Sequence, residues 1–250
     1  MQRVLRHTLV SLVLFGTGLT LADETGPSWS YKGASGPGHW AALDSAYQLC
    51  KLGKLQSPVD VRSAKMAALP PIEFAYQSVP LHILNNGHTI QVNVPAGSAI
   101  TVGGKRYELI QFHFHHPSES KLRGHGFPLE LHFVHKDADG KLAGVGVLMA
   151  DGKANPIIAQ LWMYIPKEKN KESSPDGVLV DPNGLLPTNR AYYTFAGSLT
   201  TPPCSEDVTW FLLRTPMTVS KKEVATFATE YPLNARPVQP LNGRQVLMSK

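Results

Sequence analysis

Six of the chain's ten histidines fall within residues 111–135, in QFHFHHPSESKLRGHGFPLELHFVH. Aromatic residues and β-formers around the first of them predict a strand, whose successive side chains point to opposite faces. Gln111, His113 and His115 then share one face, while Phe112, Phe114 and His116 share the other. At ordinary strand rise the backbones of His113 and His115 lie about 6.6 Å apart, close enough for both imidazoles to lean onto one metal ion. A break over 117–128, with Gly124 and Gly126 inside it, precedes a second alternating run from Glu130. Folded back antiparallel, that run can supply a third ligand from His132 or His135, which lie on opposite faces. His132 is the choice. Its face also carries Glu130, able to hold a ligand imidazole by its other nitrogen, and Val134, able to line an apolar pocket. Gln111 stands in the same relation to His113, and such partners fix the tautomer and ring angle of a metal-bound histidine. Three neutral nitrogens without sulfur, with a fourth position open, read as catalytic rather than structural zinc. HxH alone would be read as an ordinary half-exposed pair. The third histidine and the polar partners turn the reading to a metal.

The elements that must position these groups are mostly short strands, expected over 70–75, 79–84, 99–102, 107–114, 142–149, 192–199 and 208–214. Asn85-Asn86-Gly87 is a turn signal, and alternation follows through His88, Ile90, Val92 and Val94, so His88 starts a strand beside a turn. Helices are expected over 39–52, over 155–165 with Pro156 at the start, and after the capping box Ser220-Lys221-Lys222-Glu223 as far as Tyr231. Residues 175–188 read as loop, and the tail 234–246 as Pro-rich, then extended. No repeat or linker divides the chain, so it reads as one β-rich (α+β) domain.

Residues 1–22 carry Arg3 and Arg6, an apolar run over 8–15, and Thr20-Leu21-Ala22. They read as a secretory signal peptide, too short and Gly-broken for an anchor, with the mature domain over 23–250. No later segment is apolar enough to span a bilayer. Removing two arginines with that segment lowers the net charge from +5 to +3. No basic run interleaves with aromatics, so nucleic acid is not indicated. Cys50 and Cys204, an even pair in an exported chain, suggest a disulfide; two buried free thiols are the alternative.

Nine motifs follow one another in a telling order: GPGHW (36–40), QSPVDV (56–61), NNGH (85–88), QFHFH (111–115), SE (118–119), ELHFVH (130–135), GSLTTPPC (197–204), VTW (208–210) and NARPVQPLNGRQV (234–246). Together they resemble an α-class carbonic anhydrase of the exported bacterial type, over nearly all of the mature chain. The resemblance implies a large, twisted, mainly antiparallel central β-sheet with short peripheral helices. It implies one Zn2+ on His113, His115 and His132, with Gln111 behind His113, Glu130 behind His132, and the Asn234 carbonyl behind His115. The implied reaction is reversible hydration of CO2 to bicarbonate and a proton, by attack of zinc-bound hydroxide. Thr200 would accept a hydrogen bond from that hydroxide and pass its own proton toward Glu119, with Thr201 near the bicarbonate position. Val134, Leu199, Val208 and Trp210 match the apolar CO2 pocket, and His88 the proton shuttle, with Tyr31, Asn86 and Gln91 along the water path. A Cys50–Cys204 disulfide would pin the loop carrying Thr200. His116, His125 and His135 are left as surface or packing residues.

Four positions depart from the family pattern, one of them His116, which replaces a threonine or tryptophan and faces away from the metal. Gly144 stands where a valine is usual at the pocket floor, so a wider or locally wet pocket is expected. Ser120 and Phe195 replace a histidine and a tyrosine, implying a polar network behind the site that is simplified, or filled by water. A non-catalytic binding domain of the same fold and a zinc esterase are the competing readings. CO2, bicarbonate and water are the partners implied, a homodimer is left open, and the location expected is periplasmic or secreted.

Overall fold

Eight strands carry or flank the histidine cluster: β1 His82–Asn85, β2 Ile90–Asn93, β3 Lys105–His115, β4 Leu129–Lys136, β5 Leu142–Asp151, β6 Lys171–Ser173, β7 Tyr192–Gly197 and β8 Val208–Leu213. They come from a computed structural model that describes residues 28–250. The segment read as a signal peptide lies outside the described residues. The eight strands are part of a 13-stranded sheet and follow one another across it as β6-β1-β2-β3-β4-β5-β8-β7.

Neighbours on this path pair antiparallel, except β5 and β8. Parallel neighbours need a long crossover, and the chain between β5 and β8 supplies one. Two further parallel pairings, Met217–Val219 on β5 and Leu247–Met248 on Lys65–Met66, make the sheet mixed rather than purely antiparallel.

The alternation in β3 and β4 sorts their side chains as expected. Phe112, Phe114, Leu131 and Phe133 are fully buried in the main core on one face, and the other face is left for the histidines. β5 is buried on both faces along most of its length, so it reads as an unbroken apolar run instead of an alternating one. Helix α1, Pro156–Trp162, starts where the Asn155 side chain accepts from Ile157 and Ile158 N–H. Helix α2, Lys221–Glu230, has both halves of the expected capping box. The Glu223 carboxylate also accepts from Asn155 N–H at 3.0 Å, tying the two helix starts together.

Several expected elements are interrupted. The helix over 39–52 is three pieces, Trp40–Leu43, Ser45–Tyr47 and Leu49–Leu52. Asp44 breaks it: its backbone is extended, and its carboxylate takes the Ala46 N–H at 2.7 Å to start the next turn. The strand over 79–84 is split, because Pro80 has no N–H for a ladder and Leu81 N–H bonds Val178 O instead. The supposed loop 175–188 contains a short strand, Leu179–Val180, paired with Val79–Pro80, and a 3-10 turn, Pro182–Leu185, capped by Asp181. Asp60–Val61 pairs with Lys121–Leu122 in a separate small sheet.

Candidate metal centre and active site

The register of β3 on β4 decides between the two candidate third ligands. His132 stands directly opposite His113, Glu130 opposite His115, and Val134 opposite Gln111. Cross-strand partners share a face, so His132 joins the first two histidines. One nitrogen from each of His113, His115 and His132 lies within 4.8 Å of the others. His135 leaves the row at a bulge after Val134 and is fully buried elsewhere, hydrogen-bonded to the Tyr76 hydroxyl at 2.8 Å. His116 turns its ring to the Pro128 carbonyl, and His125 is exposed.

Each histidine of the cluster has an acceptor behind its ring. His113 Nδ1 donates to Gln111 Oε1 and His115 Nδ1 to the Asn234 carbonyl, both at 2.8 Å. His132 Nε2 lies 3.0 Å from Glu130 Oε1, a close contact off hydrogen-bond alignment. The nitrogens left facing inward are Nε2 of His113 and His115 and Nδ1 of His132. Burial, together with the neighbouring rings, holds His113 well below the ordinary histidine pKa, and burial lowers His115. Neutral rings are the state in which imidazole binds metal. Burial pushes Glu130 up, but His132 and the Ser120 N–H outweigh it and leave the carboxyl low. His115 Nε2 is buried with no hydrogen-bond partner, and a bound metal ion is what fits such an atom.

Glu119 sits beside this centre, its Oε2 3.5 Å from His115 Nε2 and 3.8 Å from His132 Nδ1. Its other oxygen accepts from Arg236 N–H at 2.8 Å. Burial pushes Glu119 up to about 7 against the pull of His132, Arg236 N–H and the Thr200 hydroxyl. Thr200 is a neighbour without full hydrogen-bond geometry, since Glu119 Oε2 has no hydrogen-bond partner. The loop carrying Thr200 is held by the Cys50–Cys204 disulfide, whose Cα atoms are 5.0 Å apart, and by Cys204 N–H on the Thr201 carbonyl.

His88 lies on the turn before β2, with its ring stacked on Trp29 at 3.7 Å between centroids. Burial, with a smaller contribution from Lys169, lowers its pKa to about 4. Tyr31 packs edge-on against Trp29 and Trp40, and burial with the Glu119 charge raises its hydroxyl pKa. Gln91, opposite His113 in the register, accepts from Asn86 Nδ2 at 3.2 Å. Two residues along from the histidine row, Gln111, Val134, Gly144 and Trp210 stand side by side on β3, β4, β5 and β8. Leu199 and Val208 pack in one apolar cluster with Trp210.

The family model for eukaryotic-type carbonic anhydrase matches residues 35–250. The chain belongs to that family. A carbonic anhydrase of Pectobacterium carotovorum is 44% identical over 221 residues, 88% of this chain and 90% of that protein. One from Neisseria gonorrhoeae is 42% identical over 97% of this chain and 96% of its own. Among solved structures, the α-carbonic anhydrase of Thermovibrio ammonificans in complex with sulfanilamide superposes with a TM-score of 0.86 at 43% identity, covering 90% of this chain and all of that one. As a carbonic anhydrase the protein is an enzyme of CO2 hydration.

Against that family, the departures take a different form from the one expected. The pocket floor at Gly144 is not vacant: a Cβ there would sit 2.9 Å from Trp210 ring atoms. The indole fills the space the absent side chain leaves, so the expectation of a wider pocket is overturned. A Cβ at Gly197 would meet the other edge of the same ring at 2.6 Å, and Trp210 Nε1 donates to the Ser198 carbonyl at 3.0 Å. The indole is thus clamped, 4.7 Å from the His132 ring. Behind the site, Ser120, Phe195, His132 and Trp210 line a slot too tight for a water molecule. The network is simplified there rather than water-filled. Glu130 keeps its second oxygen satisfied by the Ser120 backbone N–H at 2.6 Å.

Two residues of this carbonic anhydrase site were not singled out in the sequence. Trp29 covers His88. Arg236 supplies the amide on Glu119, and its guanidinium donates to Gln56 Oε1, Ser57 O and Cys50 O. The signal for Arg236 was present in NARP, two residues after Asn234.

Proposed function

We propose that His113, His115 and His132 hold one zinc ion and that the surrounding residues serve reversible hydration of CO2 to bicarbonate and a proton. The observation that carries this reading is the set of three inward nitrogens, each on a ring whose opposite nitrogen faces an acceptor. When bound, zinc with three neutral ligands supplies a nucleophile from water at neutral pH, chemistry for which carbonic anhydrase is itself the reference case.

The chain's own groups divide the remaining work. Val134, Leu199, Val208 and the clamped Trp210, with Gly144 beneath it, keep a dry wall on which apolar CO2 can rest beside the histidines. Thr200, next to Glu119, is placed to take a hydrogen bond from the attacking oxygen while directing its own toward the carboxylate. That arrangement orients a lone pair toward carbon. Thr201 lies beside it for the bicarbonate oxygens. His88 takes the released proton through water lined by Tyr31, Asn86 and Gln91; with its pKa lowered to about 4 it holds that proton only transiently and hands it on to buffer.

Residues 1–22 are read as an export signal and 23–250 as the mature domain, periplasmic or secreted. The disulfide and the bacterial relatives support this.

Metal analysis of the purified mature protein tests the centre. One zinc per chain is expected, lost in His132→Ala. Full zinc content in that variant would place the metal elsewhere.

A further inference from the structure

A line of side-chain amides runs from the His88 turn to the edge of the sheet. Asn86 Oδ1 accepts from the backbone N–H of His88 at 2.9 Å and of Thr89 at 2.8 Å. Backbone N–H groups only donate, so Asn86 must turn its Nδ2 the other way, to Gln91 Oε1. Gln91 Nε2 then donates to Asn93 Oδ1 at 2.7 Å. Asn93 Nδ2 points to Glu172 Oε2 at 3.5 Å, the longest link. Burial pushes the Glu172 carboxyl up, but Ser174, His82 and Asn93 outweigh it and hold it below the usual carboxylate range. An ionised carboxylate only accepts. Donor-only groups at one end and an acceptor-only group at the other leave each amide a single orientation.

We propose that Glu172 is a positioning residue for proton transfer, its carboxylate terminating a one-way chain of Asn93, Gln91 and Asn86 that fixes the turn carrying His88. This rests on the reading of His88 as the proton acceptor. Glu172 is far from the chemistry: β6 lies three strands from β3, about 14 Å at ordinary strand spacing. It is held in place independently. His82, opposite Asn93 in the register, brings Nδ1 to 3.0 Å from Glu172 Oε1, and Ser174 Oγ donates to the same oxygen at 2.8 Å. The strand it sits on also braces the turn backbone, Lys171 pairing with Asn85 and Asn170 N–H donating to the Asn85 carbonyl at 2.6 Å.

The test compares Glu172→Leu with Glu172→Gln in the zinc-loaded mature protein. Both lose the charge; only glutamine keeps an oxygen to receive Asn93. In weak buffer, Glu172→Leu is expected to lower kcat about two- to tenfold, the range set by losing one hydrogen bond's net contribution. Its kcat/KM is expected to hold, and added imidazole to restore turnover. Glu172→Gln is expected to stay near wild type. NMR of the side-chain amides supplies a readout that does not need activity: the Asn93, Gln91 and Asn86 signals move together in Glu172→Leu. Equal turnover in the two variants, or an Asn86 signal unmoved in Glu172→Leu, overturns the proposal. A folded, zinc-loaded wild type that does not hydrate CO2 overturns the functional reading instead. The amide signals then still decide whether Glu172 orients Asn86.

Discussion

The indole of Trp29 lies flat on the imidazole of His88, ring centroids 3.7 Å apart and planes 5° from parallel. The stack buries the ring, and burial is the leading reason its pKa falls to about 4. At pH 7 this His88 is neutral, and a pKa that low makes it a weak base that releases any proton it takes up quickly. Trp29→Ala uncovers the ring, and its titration midpoint is expected to rise toward the ordinary histidine value of about 6.5. NMR of the imidazole signals follows this directly. A midpoint still near 4 would mean that Trp29 is not what buries the ring.

His88→Ala separates proton transfer from hydration. In weak buffer kcat is expected to fall about a hundredfold, the lower end of what a positioned proton-transfer group contributes. The ratio kcat/KM should hold, and added imidazole should restore turnover. Unchanged turnover in weak buffer removes His88 from the role.

Gly144→Val places methyl groups where Trp210 already lies, with a Cβ 2.9 Å from its ring. The indole cannot retreat, because Gly197 and the Ser198 carbonyl hold its other edge. Overpacking of this kind destabilises by about 1–3 kcal/mol. The variant should melt earlier and hydrate CO2 more slowly, since the ring can yield only toward the cleft or His132. Wild-type melting and turnover would show that the indole has room to move.

The histidine cluster was legible because a strand's parity is written in the sequence: QFHFH and ELHFVH each assign their faces residue by residue. The choice of His132 over His135 rested on an antiparallel return and on Glu130 and Val134 sharing its face, and the register sets His132 opposite His113. The helix over 39–52 failed because one side chain, Asp44, satisfied a backbone N–H better than a continued helix could. Gly144 shows a different limit. An absent side chain reads as space, but what fills that space is Trp210, brought alongside by the parallel pairing of β5 and β8. Trp29 on His88 and Arg236 on Glu119 are likewise contacts between distant segments, which local pattern does not encode.

His135 makes stability depend on pH. It is fully buried, and burial lowers its pKa to about 3. Unfolded, it titrates near 6.5. Between those values the unfolded chain binds the extra proton, so stability is complete above about 6.5 and is lost as pH falls toward 3. His88, at about 4, adds in the same direction. Denaturant unfolding at a series of pH values should show stability declining below pH 6.5, with a shallower slope in His135→Gln. An unchanged slope in that variant would assign the acid sensitivity to other groups.

The most direct test is stopped-flow CO2 hydration by the mature protein, before and after a chelator removes its metal. Fast hydration that disappears with the metal and returns when zinc is added is the predicted result. A folded protein with one zinc on its three histidines and no hydration above the buffer rate would contradict the account.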